Sequence, residues 1–159
     1  DLDKKYIEAG NKVGIKNYML SFVEGKKDIE EFRKYSPDSD VVAKIESEKG
    51  LHYVNANGNK QSRLMAARGD LFLEIHWPHM IIDALEKILN NDKNAIVASR
   101  IFSSLNESLE PSCEDVSDLD NLLRMGYETV MFGDDVCLKR DSIIGALNLY
   151  NAMAGRYER

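Results

Sequence analysis

The sequence contains few of the residues that mark several common classes of protein. Its two cysteines, Cys113 and Cys137, are too few for the disulfide framework of a small secreted domain. Three prolines and 43% hydrophobic residues argue against a collagen-like or disordered chain. No apolar run approaches the length of a membrane span or follows the charged start of a signal peptide. We therefore expect one soluble globular domain, residues 1–159, in a cytoplasmic protein that does not contact a membrane.

Positive charge is also scarce, since 21 Lys and Arg stand against 27 Asp and Glu, for a formal net charge of −6. Binding to a nucleic-acid backbone depends on clustered basic residues, so we exclude nucleic acid as a partner. For the same reason the turn Gly133-Asp134-Asp135 is not interpreted as the metal turn of a polymerase. The chain starts with Asp1 rather than Met, which we interpret as a fragment or a processed protein.

Apolar runs of strand length alternate with segments of helical period, a pattern typical of an α/β protein built around a parallel sheet. The predicted strands are residues 17–23, which we expect to be buried, 40–46, 63–67, 95–99 and 129–133. The predicted helices are residues 26–35, 78–91, 115–126 and 141–155. Residues 54–62, "VNANGNKQS", are at best weakly helical, because Asn and Gly disfavour helix interiors.

Polar side chains follow successive predicted strands. Lys44 and Glu46 are two residues apart on one strand, so they share a face near its carboxyl end. Asp70 follows the next strand and Ser99 ends the one after, and the carboxyl ends of parallel strands meet at one edge. A Glu and an Asp without nearby His or Cys favour binding of a hard cation such as Mg²⁺. Lys44 beside them could stabilise negative charge on a phosphoryl group or an enolate. The alternative is that these charged residues only solvate loops.

At these residues the sequence resembles the pyruvate kinase family, in the later part of its (β/α)₈ barrel. The matching motifs in chain order are "SFVEGKKDIEEFRK" (21–34), "VVAKIESEKGL" (41–51), "MAARGDLFLEI" (65–75), "AIVASRIFSSL" (95–105) and "PSCEDVSDLDNLLRMGYETVMFGDD" (111–135). Their order and spacing cover nearly the whole chain. The resemblance implies a partial TIM barrel, with about five parallel strands and flanking helices.

The resemblance also assigns roles by position. The family's catalytic lysine and the two carboxylates that hold Mg²⁺ or Mn²⁺ match Lys44, Glu46 and Asp70. The segment that binds the substrate through its backbone, consistent with anion binding at a helix start, matches Ala67, Arg68, Gly69 and Asp70. Ser99 stands where the family usually has a threonine that lines the substrate pocket and is implicated in proton delivery.

Other positions depart from the family pattern. Phe72 stands where the family usually has a glycine, and Arg100 where it has a glutamine. Ser103 replaces a usual glutamate and Cys113 a usual arginine. The family's first three strands, which carry an arginine and the K⁺ ligands, have no counterpart in this sequence, and neither do its nucleotide-covering and effector domains. A closed barrel needs about 200–250 residues, so two sheet edges would be open, near residues 17–23 and 129–133. Because open edges associate, we predict either a fragment or edges covered by another copy or subunit.

Three functions stay open at this point. The first is a pyruvate kinase-like phosphotransferase, or a piece of one, which converts phosphoenolpyruvate and ADP to pyruvate and ATP with Mg²⁺ on Glu46 and Asp70. The second is a metal-dependent lyase, aldolase or proton-exchange enzyme acting on pyruvate-like acids. The third is a catalytically impaired relative that binds a partner or an effector. Loss of metal binding would distinguish this third function from the other two.

Two further motifs have ordinary explanations. The tripeptide Arg68-Gly69-Asp70 signals cell adhesion only on an exposed loop of a secreted protein, and here it ends a predicted buried strand without an export signal. His76 and His79 have no evident third ligand, so we interpret them as surface or packing residues rather than a metal pair.

Overall fold

The computed structural model describes residues 2–57 and 62–157, which contain five strands and eight α-helices. The elements of the first compact unit, Asp1–Ala95, are α1 (Leu2–Lys12), β1 (Asn17–Leu20), α2 (Lys26–Arg33), β2 (Asp40–Ile45), α3 (Glu48–Asn57), β3 (Arg63–Ala67), α4 (Arg68–Glu74), a 3₁₀ helix (Pro78–Met80) and α5 (Ile81–Asn91). Those of the second, Ile96–Arg159, are β4 (Ile96–Ala98), a 3₁₀ helix (Ser103–Asn106), α6 (Cys113–Met125), β5 (Thr129–Met131), α7 (Asp134–Cys137) and α8 (Arg140–Ala154).

In the first unit, β2 lies between β1 and β3 and is parallel to both. Its side chains alternate, because Val41, Ala43 and Ile45 are buried while Lys44 lies on the other, half-buried face. β3 is buried from its second residue onward, as is typical of strands in parallel sheets. The amphipathic helix α5 contacts β3 and buries Leu85 and other apolar residues of one stripe.

In the second unit, the fully buried strand β4 is parallel to β5. Helix α6 begins where the Ser112 hydroxyl accepts a hydrogen bond from the Asp115 backbone N–H, and it ends at Gly126. Gly126 has a φ of 109°, a conformation that glycine adopts without strain. The predicted end of this helix is therefore confirmed, and the strand–helix alternation of both units confirms the α/β class with five parallel strands and flanking helices.

Beyond shifts of one or two residues at strand ends, several details differ from the sequence-based expectations, and three lie in the first unit. Strand β1 ends at Leu20, and its residues alternate between exposed and half-buried, so the prediction of a buried strand over residues 17–23 was wrong. Helix α1 was not predicted. Helix α3 extends to Asn57, because burial of Leu51 and Val54 outweighs the weak helix propensity of Asn, whereas residues 58–61 lie outside the described part of the chain.

Within the described residues, β1 pairs only with β2 in its unit and β5 only with β4 in its unit. Each unit therefore has an open strand edge where the sequence predicts one. The association that such edges favour stays a prediction, as does the organisation of the chain as one domain. No helix in the described residues is both long and apolar enough to span a membrane.

Candidate active site

The carboxyl end of β2 brings a lysine and a glutamate together. The two-residue spacing of Lys44 and Glu46 puts both side chains on one face, and Lys44 Nζ lies 2.7 Å from Glu46 Oε1. The Glu46 side chain is 2% exposed and that of Lys44 is 23% exposed. The structure thus forms the pair that the sequence predicts, with the carboxylate buried and the ammonium reaching the surface.

The segment after β1 supplies two more partners for this pair. The Phe22 backbone N–H donates to Glu46 Oε2 at 2.6 Å, and Lys44 Nζ donates to the Ser21 hydroxyl at 3.2 Å. A buried carboxylate is costly unless charged and hydrogen-bonding partners surround it, and here each oxygen has one donor. The four residues therefore form one polar cluster at the edge of the first unit's sheet.

The turn from β3 into α4 lies at the same edge. The register pairs Ile45 with Ala66, so Glu46 lies beside Ala67, where α4 begins. Ala67 and Arg68 are buried, and the tripeptide Arg68-Gly69-Asp70 starts a helix rather than forming an exposed loop tip, which argues against adhesion. Asp70 is exposed in the first turn of α4. Every predicted site residue of the first unit therefore lies at the carboxyl edge of its sheet.

Glu46 and Asp70 offer carboxylate oxygens at this edge, the ligand type that hard divalent cations prefer. Each Glu46 oxygen accepts one hydrogen bond, and because a carboxylate oxygen has two lone pairs, one remains on each. The exposed Asp70 carboxylate adds further oxygens. No group of three or more His, Cys, Asp or Glu in residues 2–57 and 62–157 is arranged for a metal, but Mg²⁺ commonly takes only one or two protein carboxylates. The chemistry of these two carboxylates is therefore compatible with Mg²⁺ or Mn²⁺.

Ser99 follows β4 in the second unit, while Lys44, Glu46 and Asp70 lie in the first. The turn around Ser99 is strained, because Ser99, Arg100 and Phe102 have φ values of 69°, 54° and 58°. The buried ring of Phe102 packs edge to face on Phe132 with centroids 5.4 Å apart, which anchors this turn. Ser99 therefore has an unusual, fixed backbone at a strand end.

The structure also shows the surroundings of the histidine pair and of the Gly133-Asp134-Asp135 turn. His76 and His79 are exposed, and His76 packs edge to face on Trp77, in agreement with surface or packing roles. In the turn Gly133-Asp134-Asp135, the glycine precedes α7 and both aspartates are exposed in its first turn.

Sequence reasoning missed Ser21 and Phe22 as members of the site, since both were expected inside a longer strand. The available signal was their position at the carboxyl end of a predicted strand, where α/β proteins concentrate polar contacts. What hid them was the break in the strand after Leu20, which depends on contacts with residues far along the chain.

Comparisons with known proteins agree with the resemblance. A family model described as "Pyruvate kinase, barrel domain" matches residues 1–137. The pyruvate kinase of Thermotoga maritima is 30% identical over 138 residues, which are 82% of this chain and 30% of that protein. That of Methanocaldococcus jannaschii is 26% identical over 161 aligned positions, 97% of this chain and 36% of the relative. "Pyruvate kinase 2" of Saccharomyces cerevisiae is 29% identical over 161 aligned positions, which are 96% of this chain and 31% of that protein. The chain thus spans about a third of the length of these curated relatives.

Proposed function

Because the chain belongs to the pyruvate kinase family, we propose that it contributes part of that family's active site to phosphoryl transfer from phosphoenolpyruvate to ADP, giving pyruvate and ATP. The observation that carries the proposal is the Lys44–Glu46 pair, 2.7 Å apart beside the start of α4. The chain spans about a third of its relatives, so the complete reaction is proposed for this chain or for a longer or larger assembly that contains it.

Lys44 would stabilise the charge that develops as the phosphoryl group leaves. Breaking the bond between phosphorus and the enol oxygen leaves negative charge on that oxygen, while a new bond forms between phosphorus and ADP. Lys44 Nζ is partly exposed and is fixed by Glu46 and Ser21, so it is oriented before substrate binds. A positioned cation at a developing oxyanion lowers the barrier because it needs little reorganisation.

Glu46 and Asp70 would hold Mg²⁺ or Mn²⁺, which when bound supplies positive charge against the substrate's phosphoryl and carboxylate oxygens. The resemblance gives no K⁺ ligand in this chain, so we assign none of its residues to K⁺. The backbone of Ala67, Arg68 and Gly69, where α4 begins, is proposed from the resemblance to receive the substrate carboxylate.

Pyruvate forms only when the enolate carbon takes up a proton. From the resemblance alone, we assign the hydroxyl of Ser99 to this proton delivery. The open edge of β1, with its 55% exposed Met19, favours coverage by the rest of a barrel, from a longer chain or a second subunit. A cytoplasmic location fits the enzyme class and stays a prediction.

Proton exchange at the methyl group of pyruvate in D₂O, followed by NMR with Mg²⁺ present, tests the enolate half of the reaction. We expect exchange by the unaltered chain, and a fall of about 100-fold or more in Lys44→Met. Lys49→Met is the matched control, because Lys49 is 79% exposed and pairs only loosely with Glu24, at 3.7 Å.

ADP phosphorylation by added phosphoenolpyruvate, assayed on the same variants, separates the alternatives. Phosphorylation together with exchange supports the kinase, whereas exchange without phosphorylation supports the lyase or proton-exchange alternative. Exchange that is equal in Lys44→Met and Lys49→Met would contradict the role proposed for Lys44.

A further inference from the structure

The turn that follows β1 has a backbone conformation that its sequence does not favour. Phe22 has a φ of 49°, in the left-handed region that residues other than glycine rarely adopt. Phe22 is 49% exposed, so burial of its ring does not account for this conformation. The backbone N–H of the same residue donates a 2.6 Å hydrogen bond to Glu46.

A break in the β1–β2 ladder creates this turn. The parallel register is regular up to Leu20, which pairs with Ala43. The next ladder contact comes from the Val23 N–H, which donates to the Lys44 carbonyl at 3.2 Å. Ser21 and Phe22 thus leave the ladder, in the manner of a β-bulge, beside the Lys44–Glu46 pair. Bulges of this kind commonly re-aim groups next to active sites.

Contacts on the far side of the turn hold it in place. Val23 is fully buried, and its carbonyl lies so close to Gly50 that a Cβ there would be 2.9 Å away. The Ser47 hydroxyl donates to Glu24 Oε1 at 2.7 Å, which ties the turn to the start of α3. A backbone conformation of high energy persists only where its surroundings fix it in this way.

We propose that the Ser21–Phe22 turn is a positioning element for the metal-binding carboxylate. The Phe22 backbone N–H fixes Glu46, and the Ser21 hydroxyl fixes the ammonium of Lys44. The inference rests on the proposed function, in which Glu46 binds the cation. Phe22 acts through its backbone and Glu46, not through its ring, so it is a positioning residue rather than a catalytic one.

Two substitutions separate the backbone from the ring. Phe22→Gly and Phe22→Val both remove the ring, but glycine adopts a positive φ freely whereas β-branched valine resists it. Titration of the full chain with Mn²⁺, followed by water-proton relaxation, should give a dissociation constant within about twofold of the unaltered value for Phe22→Gly. For Phe22→Val we expect binding about tenfold weaker, the loss typical of changes that support a metal ligand.

If Phe22→Val does not fold, an NMR measurement without metal still tests the proposal. The amide proton of residue 22 should resonate far downfield in the unaltered chain and in Phe22→Gly, and should move upfield in Glu46→Gln, because its acceptor is weakened. Loss of Mn²⁺ binding by Phe22→Gly, equal binding by the Gly and Val variants, or an amide unmoved in Glu46→Gln would each overturn the proposal. Mn²⁺ binding unchanged in Glu46→Gln, with the amide shifted as expected, would instead overturn the metal site of the proposed function and leave the role of the turn intact.

Discussion

The Glu46 carboxylate is nearly inaccessible to water and depends on the Lys44 ammonium and the Phe22 N–H. Replacing Lys44 by methionine removes one donor and leaves the buried charge less satisfied. We therefore expect Lys44→Met to lower the free energy of unfolding by about 1–3 kcal/mol, measured by urea denaturation in the presence of EDTA.

The double variant Lys44→Met/Glu46→Gln serves as the internal check on that loss. Removing the carboxylate charge together with its partner should recover at least half of the stability, because no charge is then left unpaired. Lys49→Met, at an exposed ion pair, should change stability by less than about 0.5 kcal/mol. Strictly additive losses in the double variant would contradict this description of the pair.

We expect the stability of the second unit to depend on pH through the carboxyl group of Asp120. The pKa of its carboxyl is lowered by the hydrogen bond from the Tyr157 hydroxyl and by the hydrogen bond from Arg124. A carboxyl whose pKa is lower in the folded chain stabilises the fold above its unfolded pKa, and this contribution is lost as the pH falls through the folded pKa. Thermal melts between about pH 5 and pH 2 should therefore decline less steeply for Asp120→Asn.

The exposed Asp38 offers a control for this experiment. Asp38→Asn removes one carboxyl outside the contacts with Tyr157 and Arg124, so its melts give the baseline for Asp120→Asn. A slope in Asp120→Asn that equals the unaltered slope would show that the contacts with Tyr157 and Arg124 do not stabilise the fold.

Two glycines inside helices have opposite surroundings, and alanine should affect them with opposite sign. In α3, a Cβ at Gly50 would lie 2.9 Å from the Val23 carbonyl, which is backbone and yields only if the turn after β1 shifts. In α8, a Cβ at Gly145 would lie 3.6 Å from side-chain carbons of Leu105 and 3.8 Å from the Leu109 carbonyl, both ordinary contacts. We expect Gly50→Ala to cost about 1–3 kcal/mol and Gly145→Ala to gain up to about 1 kcal/mol.

Urea denaturation of both variants measures the difference. The result also bears on the first unit's polar cluster, since a shifted Val23 would disturb the neighbouring Phe22 contact with Glu46. A stabilising Gly50→Ala would contradict the close packing of α3 against this turn.

The helices and strands that could be predicted are those whose pattern is local. Helix α5 shows its apolar stripe, α6 ends at a glycine, and β2 and β3 are rich in apolar residues. Helix α1 lacks a strong stripe and buries only Gly10 among its residues, while its polar Asn11 contacts Tyr35 and Ser36 far along the chain. Such long-range contacts do not appear in a local pattern.

The candidate site divides in the same way. The Lys44–Glu46 pair follows from the two-residue period of a strand, so the sequence alone predicts it. The Ser21 and Phe22 contacts follow from a break in the ladder, which is fixed where Val23 meets Lys44 and Gly50 from another part of the chain. The sequence could not predict that break, because nothing in residues 17–23 marks the end of the strand.

Whether the two compact units unfold as one domain is a property of the whole chain. The sequence, with no linker between them, predicts a single cooperative transition. Pulse-labelling hydrogen exchange in urea, read separately in peptides from β2 and from α6, should give one common midpoint. Two separate midpoints would contradict the prediction of a single domain over residues 1–159.

Mn²⁺ binding in the presence of oxalate, an enolate mimic, tests the central claim that carboxylates at the carboxyl edge of the first unit's sheet bind a divalent cation. We expect Glu46→Gln and Asp70→Asn each to weaken Mn²⁺ binding by at least about tenfold. Glu48→Gln and Asp83→Asn are matched controls, since both residues are exposed in the first turn of a helix, and should bind as the unaltered chain does. Binding that is the same in all four variants would contradict the site.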